Sequence, residues 1–135
     1  LDSGIYSQQA SEATYRHLHQ LATAALQAGF AVVIDAAYLK QSLRQAAWQA
    51  AEATGVPFLI LDCEAPEAVI AQWLAQRQAE GTDPSDATME VVRAQQASRE
   101  PLSDSERLHS CRVQTQDAGS LDELVANIRQ RLPGL

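Results

Sequence analysis

The sequence has little positive charge. It contains 10 lysine and arginine residues against 17 aspartate and glutamate residues, which gives a formal net charge of -7, and Lys40 is its one lysine. Binding to the phosphate backbone of nucleic acids requires clustered cationic side chains. The composition therefore argues against a general nucleic-acid-binding protein, and we expect no nucleic-acid partner.

Long apolar runs and cysteines are also scarce. No apolar stretch approaches the roughly 20 residues that a membrane-spanning helix requires, and the first residues do not combine a basic segment with an apolar one, as secretory signals do. Cys63 and Cys111 are the two cysteines, too few and too far apart for a disulfide framework or a zinc site. We therefore expect a cytoplasmic protein that has no membrane partner and carries reduced, partly buried thiols.

The sequence does contain enough apolar material for one hydrophobic core. Its 135 residues are 46% hydrophobic and 20% charged, a composition typical of a folded domain and not of a disordered tail. The length suits one domain and is short for two. We expect a single domain over residues 1–135.

Helical and extended patterns alternate along the chain. Apolar residues at helical spacing predict helices that end near Gly29, span about 40–54, run from Pro66 to about Gly81, span about 86–99, and run from Ser120 to Leu132. Short apolar runs predict buried parallel strands at 30–34 and 56–61 and a weaker third strand at 111–115. Repeated strand-helix units of this kind predict an α/β fold in which a parallel sheet is covered by helices in three α/β/α layers.

Asp35 is the first candidate functional residue. It directly follows the predicted strand 30–34, and open α/β sheets bind their ligands at the carboxyl ends of their strands. A carboxylate there can hold Mg²⁺ directly or through water, because hard cations prefer oxygen ligands. The alternative is that Asp35 caps the next helix or closes a turn.

The histidine pair and the two tryptophans have structural interpretations. His17 and His19 lie two residues apart, so they point in different directions on a helix and cannot bind one metal together. We expect both to be exposed. Trp48 and Trp73 lie at helical spacing with alanine and leucine, which favours packing in the core.

The order of several short segments resembles a known family. The segments are SGIYS (residues 3–7), QAGFAVVIDAAYL (residues 27–39), Arg44, FLILDCEAPE (residues 58–67), LAQR (residues 74–77) and EPL (residues 100–102). In this order they resemble the second half of small-molecule and adenylate-type P-loop kinases. In particular, they resemble the kinase-like ATP-binding domain that is fused behind an aminoglycoside-phosphotransferase-like domain in bacterial proteins. The resemblance covers nearly the whole chain and rests on the order and spacing of short motifs.

The resemblance implies an ATP-binding enzyme that uses Mg²⁺ and transfers phosphate to a small-molecule acceptor. Asp35 matches the acid that helps to hold Mg²⁺ near the phosphates, which makes it a catalytic residue and the metal ligand. Arg44 and Tyr38 are candidates for binding the substrate, although Arg44 could equally face solvent. An upstream aminoglycoside-phosphotransferase-like domain in the same polypeptide is a further expectation.

Three arginines match the lid of such kinases. Arg77 matches the arginine at which the lid segment begins. Arg93 or Arg99 would be its counterpart within a lid-like insertion over about 78–100. We expect Arg77 and Arg93 to be catalytic, and Arg77 and Arg99 to bind the nucleotide. A planar guanidinium can contact two oxygens of a transferring phosphoryl group. The alternative for each is a solvated, charged helix face.

The phosphate loop of the family is missing from these residues. None of the six glycines fits the pattern G-x-x-x-x-G-K-[ST], and Lys40 follows no glycine. In that pattern, backbone N–H groups surround the phosphates and the lysine neutralises them. We therefore interpret the chain as the incomplete, C-terminal portion of a P-loop kinase-like domain, inactive by itself.

Loss of the first strands has a consequence for the sheet. In the family, the first strand lies between the strands that correspond to 30–34 and 56–61, so these would have to pair directly or recruit another chain. We expect a homodimer that covers the open sheet edge. The alternative function is a non-catalytic α/β module for assembly or regulation.

Overall fold

The computed structural model describes residues 3–81 and 87–134, with side chains described from Ser7 onward. In chain order its elements are α1 (Ser3–Gln27), α2 (Gln41–Thr54), β1 (Ile60–Glu64), α3 (Glu67–Glu80), α4 (Met89–Ser98), α5 (Asp104–Leu108), β2 (Ser110–Gln114) and α6 (Ser120–Arg131). They form two compact units, one reaching to Phe58 and one from Leu59 to Gly134. None of the helices formed by these residues is both long and apolar enough to cross a membrane.

The first unit is a pair of helices in contact, α1 and α2. Small side chains lie in its interior, with Ala22 at 8% and Ala51 at 6% exposure. Gly55 ends α2 with φ at 70°, and its N–H donates to the carbonyl of Glu52. A left-handed residue at this position is the usual helix end, and glycine adopts it without a Cβ clash. Trp48 of α2 stacks on Phe58 with ring centroids 5.4 Å apart, which confirms the predicted packing role of Trp48. The same prediction is wrong for Trp73, which is 38% exposed.

Residues 30–34 do not form the predicted strand, and that prediction is wrong. The segment connects α1 to α2 without a ladder of strand hydrogen bonds, and Phe30 is 68% and Val33 86% exposed. A run of β-branched residues favours an extended backbone, but a strand also needs a neighbouring strand that pairs with it. The described residues of the first unit include no strand. Phe30 and Val33 of the apolar run therefore remain exposed.

The second unit is built around two parallel strands. β1 pairs with β2 in the register Ile60↔Ser110 to Glu64↔Gln114, and both α5 and α6 pack against β2. Its most buried apolar residues are Leu74, Cys111 and Val113. The parallel α/β character is confirmed, but the sheet of the described residues has two strands. β1 begins four residues later than predicted, so Asp62 lies within the strand and not after it.

Local sequence signals account for the helix ends of the second unit. Pro66 precedes α3, and Gly81 follows it with φ at 63°, as predicted. The predicted helix over 86–99 is confirmed as α4, with a side-chain cap from Thr88 to the N–H of Val91. Ser120, where the last helix was predicted to begin, is the first residue of α6. The single-domain interpretation of the chain stays a prediction.

The short helix α5 was not predicted. It begins with a capping box, in which Ser103 accepts from the N–H of Glu106 and the Glu106 carboxylate accepts from the N–H of Ser103. Glu106 is only 2% exposed. The pattern Ser-x-x-Glu is a sequence signal for such a start, and it could have revealed the helix.

Candidate functional site

The first candidate site is the turn that leads from Asp35 to α2. Within it, Tyr38 has a φ of 46°, the left-handed region that residues with a Cβ seldom adopt. Such a backbone conformation persists only where the surrounding structure holds it, and it is found disproportionately at functional sites. Asp35 is exposed and lies three residues before Tyr38.

Each polar group of Tyr38 is held by a side chain of the helix pair. Its N–H donates to the Tyr15 hydroxyl at 2.9 Å, and its carbonyl accepts from Nη1 of Arg44 at 2.9 Å. Its hydroxyl is hydrogen-bonded to Nε2 of His19 at 2.8 Å. The Tyr38 ring also lies 4.9 Å from the Tyr15 ring, centroid to centroid. The turn is therefore fixed by residues from both α1 and α2.

Burial shifts the proton equilibria of this cluster. Burial, with a smaller contribution from the Tyr15 charge, raises the pKa of Tyr38 to about 12. Burial also lowers the pKa of His19 below its usual 6.5. Both rings are therefore mainly neutral at neutral pH, and the cluster's charge is the guanidinium of Arg44, which is 4% exposed.

The structure brings together the two predicted substrate-binding residues, Tyr38 and Arg44. Arg44 is buried and binds the backbone of Tyr38, so it supports the turn and does not face solvent. The prediction that His19 is exposed is wrong, because its ring is half-buried against Tyr38. The spacing of Tyr15 and His19 places them on one helix face. Their partner in a distant turn could not be read from that spacing.

A groove lies between α1 and the start of α2. It has a volume of about 660 Å³ and is open to solvent. Tyr15, Leu43 and Ala46 contribute apolar surface to its lining. Seven polar residues also line it, and we call them its polar rim: Glu12, Arg16, His19, Gln20, Thr23, Gln27 and Ser42. His19 thus belongs both to this groove and to the group that holds Tyr38.

The predicted lid arginines lie in the second unit, and the structure shows carboxylate partners for Arg93 and Arg99. Arg93 of α4 is paired with Glu67 at 2.5 Å, and Arg99, at the end of α4, is paired with Asp62 at 2.5 Å. Arg77 is exposed in the last turn of α3. The structure therefore shows Arg93 and Arg99 bound to two different acids of their own unit. Residues 82–86 of the predicted insertion lie outside the described residues.

The acids and histidines that the structure describes do not form a metal cage. Within residues 3–81 and 87–134, no group of three or more histidine, cysteine, aspartate or glutamate side chains is arranged to hold a metal ion. Mg²⁺ in nucleotide sites needs only one or two carboxylates, because waters and phosphate oxygens complete its shell. Asp35 offers one exposed carboxylate, a group of the kind that Mg²⁺ accepts as a ligand.

A family model described as an AAA domain matches residues 2–102. The chain belongs to this family of P-loop NTPase-like kinases. The resemblance to P-loop kinases is thus confirmed at the level of the family, and a kinase-like, nucleotide-binding P-loop domain is the coarse description of the chain. The AAA-domain match includes Asp35, the Tyr38 turn and the arginines Arg77, Arg93 and Arg99. No curated protein and no solved structure matches the chain significantly.

AAA-type P-loop domains generally bind ATP and Mg²⁺. The glycine-rich loop that binds phosphate in such domains has no counterpart in these 135 residues. These 135 residues therefore do not provide the backbone N–H groups and the motif lysine with which a phosphate loop holds ATP phosphates.

Proposed function

We propose that the chain is part of an ATP-dependent phosphotransferase that acts on a small-molecule acceptor. Its phosphate loop would be supplied by a preceding segment of the same polypeptide. The observation that carries the proposal is the held turn at Tyr38, which follows the exposed carboxylate of Asp35 by three residues. By its order in the sequence, Asp35 corresponds to the acid expected to help hold Mg²⁺ in P-loop kinases. Residues 30–34 before it form no strand, so in this proposal the Tyr38 turn, and not a strand end, positions the carboxylate.

A fixed turn suits that role because phosphoryl transfer depends on positioning. The reaction offers little covalent chemistry to the protein, so catalysis rests on the placement of metal, acceptor and cationic groups. Three hydrogen bonds hold Tyr38 from Tyr15, Arg44 and His19. They limit the movement of the backbone that carries Asp35.

The arginines support the same proposal. Arg93 and Arg99 already bind carboxylate oxygens, and a guanidinium binds phosphate oxygens with the same geometry. The Arg93 pair is exposed, with 62% and 50% of its side-chain surfaces accessible. Exposed ion pairs contribute at most about 1 kcal/mol. A phosphoryl group can therefore replace Glu67 as the partner of Arg93.

The apolar segment 30–34 favours a preceding segment that contributes a further strand. Phe30 and Val33 are mostly accessible, and a strand that brought the phosphate loop could pair with this segment and cover it. We therefore expect the 135-residue chain to be inactive by itself.

Calorimetric titration with Mg²⁺ and a non-hydrolysable ATP analogue tests the proposal. The 135-residue chain should show no saturable binding, whereas a longer protein in which a G-x-x-x-x-G-K-[ST] segment precedes Leu1 should bind. In the longer protein, Asp35→Asn should weaken Mg²⁺-dependent binding by about tenfold, as loss of one charge-assisted contact predicts.

Asp122→Asn is the matched control, because Asp122 is an exposed acid on α6. It should leave the affinity unchanged. Equal binding by the wild-type and Asp35→Asn proteins would contradict the assignment of Asp35. Absence of nucleotide binding in the longer protein would instead favour the alternative, a non-catalytic module for assembly or regulation, for which the exposed Phe30 and Val33 provide a contact surface.

A further inference from the structure

We infer that the groove between α1 and the start of α2 binds the phosphate acceptor, and that the acceptor is a hydroxyl-rich small molecule of low net charge. This inference rests on the proposed phosphotransferase function and adds the class of its acceptor. It depends on the shape of the groove, on its polar rim and on the position of His19.

The groove has the size and surface of a small-molecule site. Its volume of about 660 Å³ falls within the roughly 300–1,000 Å³ of typical ligand sites. The Tyr15 ring, Leu43 and Ala46 offer apolar contacts. A molecule with a C–H face could pack there and direct its polar groups toward the rim.

The rim offers unused hydrogen-bonding groups. Within the described residues, no protein group is hydrogen-bonded to the side chains of Arg16, Gln20, Gln27 or Ser42. Amides and hydroxyls both donate and accept, and so do the hydroxyls of a ligand. Several such groups around one concavity favour a ligand with several hydroxyls over a wholly apolar one.

The charges around the groove favour a ligand of low net charge. Glu12 and Arg16 lie one helical turn apart on its rim and carry opposite charges. His19 is mainly neutral at neutral pH, because burial lowers its pKa. The groove therefore offers no surplus of positive charge to a strongly anionic ligand and no surplus of negative charge to a strongly cationic one.

His19 links the groove to the candidate Mg²⁺ ligand. It lines the groove, and its Nε2 is hydrogen-bonded to the hydroxyl of Tyr38, in the turn that follows Asp35. A molecule in the groove therefore lies beside this turn. In the transfer, an acceptor hydroxyl oxygen forms the bond to phosphorus, the bond from that phosphorus to the departing ADP oxygen breaks, and the hydroxyl proton passes to solvent.

Protein-observed NMR on the 135-residue chain tests the inference without nucleotide. The side-chain amide signals of Gln20 and Gln27 are followed during titration with myo-inositol and D-glucose, and with cyclohexanol as a probe that has only one hydroxyl. We expect saturable shifts with at least one polyol at millimolar concentration and none with cyclohexanol. Gln20→Ala should weaken polyol binding by roughly fivefold to tenfold, as loss of a hydrogen bond predicts.

Gln45→Ala is the matched control, since Gln45 is exposed on α2 and does not line the groove. Ser42→Ala is a second test variant, which should also weaken binding. The inference is overturned if neither polyol produces saturable shifts in a chain with a well-dispersed spectrum. Equal effects of Gln20→Ala and Gln45→Ala, or equal binding of cyclohexanol, would overturn it as well. Failure here leaves the nucleotide titration of the longer protein unaffected, so the two proposals fail separately.

Discussion

At Tyr38, backbone strain and hydrogen bonding act against each other. A left-handed conformation at a residue with a Cβ costs on the order of 1–3 kcal/mol, and each of the three side-chain hydrogen bonds contributes roughly 1 kcal/mol net. The bonds from Tyr15, Arg44 and His19 are therefore sufficient to hold the turn. The loss of each single bond should therefore lower the free energy of unfolding by a measurable amount.

Two tyrosine-to-phenylalanine substitutions separate these bonds. Tyr15→Phe leaves the Tyr38 N–H without its partner, and should lower the free energy of unfolding by about 1–3 kcal/mol. Tyr38→Phe removes only the hydroxyl that meets the half-buried His19, and should cost about 1 kcal/mol or less. Urea denaturation at neutral pH measures both values. A larger loss for Tyr38→Phe than for Tyr15→Phe would contradict the assigned role of Tyr15.

His19 predicts a pH dependence of stability. Burial lowers its pKa in the folded chain below 6.5, so the unfolded chain binds the proton more readily than the folded one. The contribution of neutral His19 to the free energy of unfolding is complete above about pH 6.5 and is lost as the pH falls toward the folded-state pKa. Urea denaturation between about pH 7.5 and pH 5 should therefore show a steeper loss of stability in the wild type than in His19→Gln.

His17→Gln provides the control for that measurement, because His17 is exposed on the same helix. This variant should keep the wild-type slope, so that carboxylate titration, which is common to all three proteins, cancels. Identical slopes in the wild type and His19→Gln would show that the His19 ring is not buried as the structure has it.

At the scale of whole elements, the sequence predicts where a helix begins and ends better than it predicts which segments pair or pack together. Pro66 and Gly81 fix the limits of α3 through their own backbone preferences, and these could be read directly. The segment 30–34 has the composition of a strand, but its pairing depends on a neighbour that composition does not supply. Among the candidate site residues, Asp35 and Tyr38 were selected from a short motif, and their roles stay predictions. The contacts from Tyr15 and His19 were not, because they join residues about 20 positions apart.

The two ion pairs should differ in their effect on α4. This helix has no buried residue, so its attachment depends largely on contacts such as Arg99 to Asp62 and Arg93 to Glu67. Asp62 is 15% exposed, while both members of the Arg93 pair are at least half exposed. Solvent screens an exposed pair more strongly, so Arg93→Ala should cost under about 0.5 kcal/mol and Arg99→Ala about 1 kcal/mol.

Hydrogen exchange of the α4 amides measures this difference locally. Arg99→Ala should increase exchange across α4 more than Arg93→Ala does. Arg129→Ala, at the exposed end of α6, serves as a control for the loss of one positive charge and should leave α4 unchanged. If Arg93→Ala had the larger effect, the Asp62 pair would not be the main attachment of the helix.

For the whole molecule, the exposed apolar segment and the acidic net charge have opposite effects on association. Phe30 and Val33 present apolar surface at 68% and 86% exposure, and an unpaired extended segment of this kind can pair with a second copy. The net charge of -7 repels a second copy, and salt screens that repulsion. We expect a dimer at micromolar concentration whose population rises with ionic strength.

Sedimentation of three proteins tests whether segment 30–34 forms the dimer contact. Val33→Asp should give a monomer, because it places a charge in the contact, whereas Val125→Asp on α6, where Val125 is 44% exposed, should leave the dimer intact. Both variants add the same charge, so a difference between them locates the interface. A longer protein that carries the phosphate-loop segment should also be monomeric if its added strand covers Val33. A wild-type chain that remained monomeric at every salt concentration would show that the exposed segment recruits no second copy.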